Sequence, residues 1–386
     1  MAVPARVLFL SANMGTGHAA AAEATLRALR ERLPDVDAQI INSVQYASQR
    51  VGKMVEEGYI HLLKAFPTLY GLIYESKERP SSLSGVRRVL NRLYGGTFRN
   101  LIESWKPDVI VCTHAFPFGI ISSIRERFGL RVPSVGIVTD FVVHPGWVHK
   151  NVDVYAVAND DLERQLIARG VESERVRVTG IPIDPRFGQP RELQALRDRL
   201  DLNAGLPVVL VMGGGLGMGP VERIMKLVRR IERPMHMVVL AGRNERLREQ
   251  LDEERQRLGG HPVRLQSFGY IDNVYDYMAA ADLLVTKPGG LTSAEALASG
   301  LPMVIIHPLP GQEMRNSKYL LNKRVAVRAA SEKTLPTTIE EMLRDVDTLR
   351  RMRRVSRDLS APDSASRTAD LVLEMLAKPR AACLAP

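Results

Sequence analysis

Two glycine-rich segments carry residue types that bind anions and move protons. The first, Ser11–His18 (SANMGTGH), places Gly15 and Gly17 directly before a histidine. Glycines permit a tight turn, and a helix that begins there presents unpaired N–H groups to an anion. A helix N-terminus also lowers the pKa of a histidine, which favours the neutral form that accepts a proton. His18 is thus either a base or a side chain that merely caps the helix.

The second segment, Met212–Gly219 (MGGGLGMG), follows an apolar run. We predict that Gly213, Gly214 and Gly215 turn their backbone N–H groups toward a phosphate, although such turns also occur simply for packing. The first segment does not indicate a dinucleotide-binding loop or a P-loop. Ala20 occupies the third glycine position of G-x-G-x-x-G, and no Lys-Ser/Thr pair follows.

A third segment, Asp282–Pro302, has the strongest pattern, because it runs from an apolar strand through a Gly-Gly turn into a helix. We expect the helix Ser293–Ser299 to follow this turn, with Thr292 and Ser293 as its caps and with free N–H groups facing an anion. Glu295 would lie on the first turn, where its carboxylate could accept two ribose hydroxyl groups.

Side chains suited to sugar hydroxyl groups follow a few residues later. The segment Pro308–Asn316 (PLPGQEMRN) contains Gln312, Glu313 and Asn316. Each of these features could be incidental when taken alone. The order of a glycine loop, then GGLTSAE, then GQE rarely arises by chance.

The elements that position these segments follow from hydrophobic patterning. Short β-branched runs alternate with amphipathic stretches, which predicts βαβ units and parallel sheets. The rhythm restarts near residue 207, so the fold class is α/β with two doubly wound domains, at 1–180 and 200–360, and a helix and tail over 361–386. The predicted strands are Arg6–Ser11, Asp108–Thr113, Pro133–Thr139, Val152–Ala158, Pro207–Met212, Met235–Ala241, Val263–Ser267, Asp282–Thr286 and Pro302–Ile306. The predicted helices are His18–Arg32, Phe116–Phe128, Pro220–Glu232, Glu245–Arg257, Ser293–Ser299, Gln312–Asn322 and Ser364–Leu376.

Residues 46–99 interrupt this rhythm with a helical, basic and partly aromatic insert. From Arg50 to Arg99 there are nine basic and four acidic residues, a net charge of +5. Basic amphipathic helices suit an anionic membrane surface, and we assign Tyr70, Arg87, Arg88 and Arg92 to that contact. The alternative is a helical insert that only packs on the first domain.

Composition narrows the class of protein further. The chain has 386 residues and only two cysteines, too few for a disulfide scaffold or a thiolate metal site. It has no run of about 18 apolar residues and no signal-peptide pattern, so we expect a protein of the cytoplasmic side. The net charge of +10 suits anionic partners such as lipids, nucleic acids or phosphorylated substrates, or reflects an arginine-rich background.

The motifs resemble those of the MurG-like glycosyltransferases, and most closely the family of monogalactosyldiacylglycerol synthase and processive diacylglycerol glucosyltransferase. The resemblance covers about residues 6–328. The pair Lys287-Pro288 is typical of the branch that makes glycolipids. The matching motifs are Ser11–His18, Val138–Phe141 with His144 and Trp147, Val178–Ile183 and Thr286–Gly290.

The resemblance implies a GT-B fold, in which two Rossmann-like domains face each other across a cleft. It implies inverting transfer of a hexose from UDP-glucose or UDP-galactose to diacylglycerol at the cytoplasmic membrane face, by a peripheral protein that needs no metal or other cofactor and binds no nucleic acid. The glycine loop and the Gly290–Ser293 helix start would hold the diphosphate, and Glu295 the ribose. The remaining assignments are Phe268, Tyr270 and Ile271 around the uracil, Gln312, Glu313 and Asn316 toward the donor sugar, and Gly17 toward the acceptor.

Several points stay open from the sequence. Inversion needs a base for the acceptor hydroxyl, and His18 and Asp140 are both candidates. The sequence does not distinguish glucose from galactose. The alternatives are a transferase with a polyprenyl-diphosphate-linked acceptor, a UDP-sugar epimerase, and a non-catalytic nucleotide-sugar or nucleic-acid binder. No RNA-stacking or helix-turn-helix pattern supports nucleic-acid binding.

Overall fold

The computed structural model describes residues 4–12, 16–51, 84–149, 151–202, 205–215 and 228–378, with backbone only for 48–51 and 84–93. These residues form two compact units. Unit 1 contains the described residues up to Ile183, Leu309–Gln312 and the segment from Asp363 onward. Unit 2 contains the described residues of Asp184–Pro308 and Glu313–Pro362.

Each unit is built on a six-stranded parallel sheet. The strands of unit 1 are β1 (Arg6–Ser11), β2 (Asp37–Asn42), β3 (Val109–Cys112), β4 (Ser134–Ile137), β5 (Val154–Val157) and β6 (Val176–Val178). Those of unit 2 are β7 (Val208–Met212), β8 (Met235–Leu240), β9 (Val263–Phe268), β10 (Leu283–Thr286), β11 (Met303–Ile305) and β12 (Ala326–Arg328). The spatial orders are β2-β1-β3-β4-β5-β6 and β12-β11-β10-β7-β8-β9.

Helices connect these strands. The described helices are α1 (Gly17–Arg32), α2 (Ser43–Val51), α3 (Ser84–Trp105), α4 (Ala115–Phe128), α5 (Asp160–Ile167), α6 (Leu193–Arg199), α7 (Glu245–Arg257), α8 (Val274–Ala280), α9 (Gly290–Ala298), α10 (Gln312–Asn322), α11 (Leu335–Arg344), α12 (Val346–Asp358) and α13 (Ser364–Leu376).

The sheet of unit 1 is covered on both faces. Alternate residues of a strand point to opposite faces. Val7 and Phe9 therefore belong to one core cluster with residues of α1 and α13, while Leu8 and Leu10 belong to another with residues of α2, α3 and α4. This double coverage explains why the central strands read as unbroken apolar runs.

Unit 2 has a comparable core. Val209 and Val211 of β7 and Met237 of β8 are fully buried and cluster with Leu251 of α7 and Ile339 of α11. Residues of α12 complete that cluster. The short β-branched runs of the second half are thus buried strands, as the patterning predicts.

The prediction of two doubly wound α/β domains is confirmed. The helix Ser364–Leu376 has the predicted bounds, and it packs against α1 of unit 1. The edge strands β2, β6 and β12 were not predicted. The stretch between the two predicted domains contains α6, which was not predicted. The predicted helix Pro220–Glu232 lies largely outside the described residues.

Candidate active site

The strand order of unit 1 places the first glycine segment at a topological switch point. Strands β2 and β3 lie on opposite sides of β1, so the loops that follow β1 and β3 diverge and leave a crevice, where open α/β sheets bind ligands. Leu10 and Cys112 are register partners near the ends of β1 and β3. The chain after β1 leads to His18 at the start of α1, and Thr113 follows β3 directly.

His18 is held by two threonines from different loops. Its Nδ1 lies 2.8 Å from the carbonyl oxygen of Thr113 and 2.9 Å from Oγ1 of Thr139, which follows β4. A carbonyl oxygen can only accept a hydrogen bond, so Nδ1 carries the proton and donates it to Thr113. The lone pair is therefore on Nε2, the nitrogen that can act as a base.

Burial keeps His18 neutral. It lowers the pKa of the imidazole from 6.5 to about 4, and the hydrogen bond to Thr113 opposes the shift only in part. The prediction of a lowered pKa is confirmed, but the dominant cause is desolvation rather than the helix N-terminus. The ring is half-buried and stands edge-on to His114, with centroids 4.7 Å apart. His114 was not predicted, because it contacts His18 only when β3 lies next to β1 in the sheet.

Asp140, the second candidate base, directly follows Thr139 and is 4% exposed. The loop after β4 thus contains both a residue that contacts His18, Thr139, and a buried carboxyl group, that of Asp140. Gly17, assigned to the acceptor, is the first residue of α1 and so immediately precedes His18. Gly15 lies outside the described residues.

Unit 2 has a second switch point, between β7 and β10. These strands are adjacent, and Met212 pairs in register with Thr286. The residues that follow them, Gly213 and Lys287, therefore leave the sheet at the same edge. Oγ1 of Thr286 donates to the carbonyl oxygen of Met212 at 2.9 Å and ties the two strand ends together.

The glycine loop after β7 is backed by a glycine that the sequence reading missed. Gly214 has a φ of +80°, a conformation that favours glycine. Gly242, after β8, has a φ of +59°, and a Cβ there would lie 2.5 Å from the carbonyl oxygen of Gly215. The N–H of Arg243 donates to that same oxygen at 3.1 Å. A side chain at Gly242 would therefore displace the loop.

The third segment forms α9, but its cap differs from the prediction. Gly289 is the N-cap, so Thr292 and Ser293 lie in the first turn and are not caps. Ser293 donates its N–H to the carbonyl oxygen of Gly289 at 3.0 Å. The N–H groups of Gly290, Leu291 and Thr292 have no acceptor within the helix, as at any helix start. Within the described ranges, Oγ of the buried Ser293 also has no hydrogen-bond partner.

Glu295 lies in the second turn of α9, one turn later than predicted. Burial raises the pKa of its carboxyl group from 4.5 to about 8, and the nearby Asp184 carboxylate contributes in the same direction. Asp184 begins unit 2 and pairs with Arg186 at 2.7 Å, in a turn that contacts α9. A ligand that donates hydrogen bonds to Glu295 would favour the ionised form of this carboxyl group.

Two contacts attach α10 to the loop after β10. Nζ of Lys287 lies 3.4 Å from Oε1 of Glu313, and Nδ2 of Asn316 donates to the carbonyl oxygen of Pro288 at 3.2 Å. Asn316 is 1% exposed, so its amide is a structural link in this structure. Gln312 is the first residue of α10. The loop after β10, which leads into α9, and the helix assigned to the sugar, α10, are therefore joined.

The residues assigned to the uracil lie at the end of β9 and just beyond it. The ring of Phe268 is 5.3 Å from that of Tyr277, Tyr270 is 56% exposed, and Ile271 is half-buried. The guanidinium carbon of Arg243 lies 5.1 Å from the centre of the Tyr270 ring. The exposed ring of Tyr270, with a guanidinium group against it, offers a flat surface on which a nucleobase could stack. Arg243 was not indicated by any motif.

The structure describes only some of the residues assigned to the acceptor and the membrane. Tyr70 lies outside the described residues, and Arg87, Arg88 and Arg92 belong to α3, where only backbone is described. The later part of the insert is core, since Tyr94 and Phe98 are buried in unit 1. Arg99, counted with the basic surface, instead pairs with Glu103 at 2.8 Å and stacks over Phe128.

Two further features are absent from the described part of the chain, a membrane-spanning helix and a cluster of metal ligands. None of its helices is both long and apolar enough to cross a membrane. Likewise, no three of its His, Cys, Asp and Glu side chains are grouped as metal ligands would be.

Two protein families match the chain, one over each unit. Residues 18–183 match the monogalactosyldiacylglycerol (MGDG) synthase family, and residues 208–368 match the glycosyltransferase family 28 C-terminal domain. A processive diacylglycerol beta-glucosyltransferase of Bacillus subtilis (strain 168) is 29% identical over 383 residues, which is 97% of this chain and 95% of the relative.

Solved structures show the same fold. MurG of Acinetobacter baumannii matches with a TM-score of 0.63 at 16% identity, over 96% of this chain and 100% of that one. MnaA of S. aureus, solved with UDP, matches with a TM-score of 0.61 at 15% identity, over 99% and 100% of the two chains. The chain thus combines a domain of the monogalactosyldiacylglycerol (MGDG) synthase family with a glycosyltransferase family 28 C-terminal domain, is similar over nearly its whole length to processive diacylglycerol beta-glucosyltransferases, and has the fold of MurG.

Proposed function

We propose that this protein transfers a hexose from a UDP-hexose to diacylglycerol, with inversion at the anomeric carbon and at an anionic membrane surface. The observation that carries the proposal is the switch point of unit 2, where the glycine loop and the start of α9 leave the sheet side by side. The name of the Bacillus relative, a processive diacylglycerol beta-glucosyltransferase, supports diacylglycerol as acceptor and favours glucose over galactose.

The donor would bind to unit 2. Its diphosphate would accept hydrogen bonds from the loop Gly213–Gly215 and from the free N–H groups at the start of α9, because both present donors at one edge of the sheet. Its ribose hydroxyl groups would donate to Glu295, and its uracil would rest near Tyr270. That MnaA, a structure of the same fold, was solved with UDP supports a UDP-linked donor.

The sugar would lie toward α10. Glu313 is in the first turn of that helix, and its carboxylate could accept hydrogen bonds from the hexose hydroxyl groups. Gln312 precedes it and could both donate and accept. Glucose and galactose differ in the orientation of one hydroxyl group, so these two side chains are the ones to vary when donor choice is examined.

Transfer would proceed by one in-line displacement. The acceptor oxygen attacks the anomeric carbon, the bond from that carbon to the UDP oxygen breaks, and its electron pair leaves with UDP. The hydroxyl proton passes to a base, for which Nε2 of His18 is suited because Nδ1 already donates to Thr113. Asp140, buried just after Thr139, would then orient the reacting groups. The backbone N–H groups would stabilise the departing diphosphate, so we propose that no metal is required.

The test is a product analysis with four arms. The purified protein is incubated with diacylglycerol vesicles and UDP-glucose or UDP-galactose, each with and without EDTA, and the glycolipids are separated and their anomeric configuration determined. We expect a β-linked hexosyl-diacylglycerol whose yield is the same with EDTA. Formation of free UDP with no glycolipid, or interconversion of the UDP-sugar, would contradict the proposal.

Peripheral membrane contact is the remaining part of the proposal. Diacylglycerol is confined to the bilayer, and Arg87, Arg88 and Arg92 carry positive charge in the first half of α3. Each basic residue near an anionic surface contributes about 1 kcal/mol, and salt screens that attraction. Replacing all three by Glu should reduce cosedimentation with anionic vesicles and reduce lipid glycosylation, while the affinity for UDP stays unchanged.

A matched variant separates local contact from net charge. Arg350, Arg351 and Arg354 are exposed on α12 of unit 2. Their replacement by Glu changes the total charge by the same amount, and we expect it to leave cosedimentation close to that of the natural chain. Equal losses in the two triple variants would show that α3 is not the membrane contact.

A further inference from the structure

Lys287 is a cation at the anion-binding edge of unit 2 to which the proposed mechanism gives no role. It directly follows β10, beside the glycine loop that follows β7, because Met212 and Thr286 are register partners. Its side chain is only 12% exposed. The N–H of Gly289 donates to the carbonyl oxygen of Lys287 at 2.9 Å, which folds the turn so that Lys287 lies against the start of α9.

The partner of Lys287 in this structure is Glu313. Nζ and Oε1 are 3.4 Å apart, and the Glu313 side chain is 19% exposed. A direct charge-assisted hydrogen bond is shorter, about 2.7–2.9 Å. The two opposite charges thus lie side by side in a largely buried place, at the long end of the hydrogen-bond range. Glu313 also lies in the first turn of α10, where the helix N-terminus favours its negative charge.

We propose that Lys287 changes partner when the donor binds, moving from Glu313 to the diphosphate. The inference rests on the proposed function, since it requires a UDP-hexose donor. A diphosphate at the start of α9 would bring a larger negative charge to the same edge of the sheet. Once the ammonium group of Lys287 contacts the diphosphate, the Glu313 carboxylate could accept hydrogen bonds from the hexose hydroxyl groups. Diphosphate binding and sugar recognition would then be coupled through one side chain.

The exchange also has a use in the reaction. As the anomeric bond breaks, negative charge grows on the β-phosphate oxygen of the departing UDP. A fixed cation at that position lowers the energy of the transition state more than that of the ground state. Lys287 would therefore supply charge stabilisation that backbone N–H groups supply only in part.

The test uses two variants whose effects on UDP affinity have opposite signs. In Lys287→Met the cation is lost, so UDP should bind about 10- to 100-fold more weakly, as for loss of one charged contact. In Glu313→Gln the competing carboxylate is lost, so UDP should bind about 3- to 10-fold more tightly, which is the free energy of one weak ion pair. Turnover with UDP-hexose should fall in both variants. The double variant should bind UDP like Lys287→Met.

Calorimetry on the full chain with UDP and with uridine decides the matter. Uridine has no phosphate, so its affinity should be the same in all variants, while Lys287→Arg should keep most of the affinity for UDP. Unchanged UDP affinity in Lys287→Met, or weaker UDP binding in Glu313→Gln, would overturn the exchange. Either result, obtained with a natural chain that binds UDP and makes glycolipid, would leave the proposed function standing. A natural chain that bound no UDP would contradict the proposed function itself.

Discussion

The affinity for UDP-hexose should rise with pH, and Glu295 should be the cause. Burial and Asp184 raise the pKa of its carboxyl group to about 8, so the free protein is mostly protonated at that site near neutral pH. Ribose hydroxyl groups donate to the ionised carboxylate, so binding in that form must expel the proton. A group that loses a proton on binding makes affinity increase with pH, up to the pKa of the free protein.

The size of the effect follows from the ionised fraction. With a pKa of about 8, roughly one Glu295 in a hundred is ionised at pH 6, about one in eleven at pH 7 and about half at pH 8. The apparent dissociation constant is the intrinsic value divided by the competent fraction. The affinity should therefore increase about 50-fold between pH 6 and pH 8, with a slope of about tenfold per pH unit below pH 7.

Calorimetry between pH 6 and pH 9 with UDP-glucose measures this slope. UDP-glucose is preferable to UDP, because the terminal phosphate of UDP titrates near pH 6 and would add its own pH dependence. Repeating the titration in buffers of different ionisation enthalpy counts the proton that is released. Glu295→Gln has nearly the same shape and does not ionise, so its affinity should be nearly flat with pH. The same slope in the natural chain and in Glu295→Gln would refute the reasoning.

Three further substitutions test the separate parts of the structure. His18→Ala should lower turnover about 10²- to 10⁴-fold, the usual range for a lost base, with an unchanged circular dichroism spectrum. Gly242→Ala should weaken UDP binding and lower the melting temperature, because its Cβ would lie 2.5 Å from the Gly215 carbonyl oxygen. Leu371→Ala should cost about 2–5 kcal/mol of unfolding free energy, measured by denaturant, and leave the UDP affinity unchanged, because Leu371 is buried in unit 1.

The central strands could be predicted because they are buried on both faces, whereas the edge strands β2, β6 and β12 could not. β1 and β7 are unbroken apolar runs. In β2 (DAQIIN) five residues are only half-buried and one is exposed, so no clear period appears in the sequence. β6 and β12 have three residues each, too few for any pattern to emerge.

The insert shows a real ambiguity of pattern. Aromatic residues at helical spacing with interspersed arginines suit a membrane surface and a protein core equally. Tyr94 and Phe98 proved to be core residues, and Arg99 forms an ion pair with Glu103. Sequence periodicity reports that a helix face is apolar, but only the fold determines what that face contacts.

The glycine motifs could be predicted within the candidate site, but their supporting residues could not. Gly213–Gly215 and Gly290 belong to motifs that are continuous in sequence. Thr139, Gly242 and His114 act through partners that are brought near only by the order of the strands. No local signal predicts such contacts, and the same holds for the contact between Lys287 and Glu313, which are 26 residues apart.

The helix α13 has a consequence for biosynthesis. It is made after the whole of unit 2, yet Ala369 and Val372 are fully buried against the face of the sheet that includes β1, and Arg32 of α1 pairs with Asp370 at 2.7 Å. Domains generally fold in order as they leave the ribosome. Unit 1 has to wait, with the part of one apolar face that α13 covers still exposed, while the whole of unit 2 is translated. A ribosome that stops before Ser364 therefore releases a chain whose second half can fold and whose first half exposes its core, a state that chaperones and proteases distinguish from the finished enzyme.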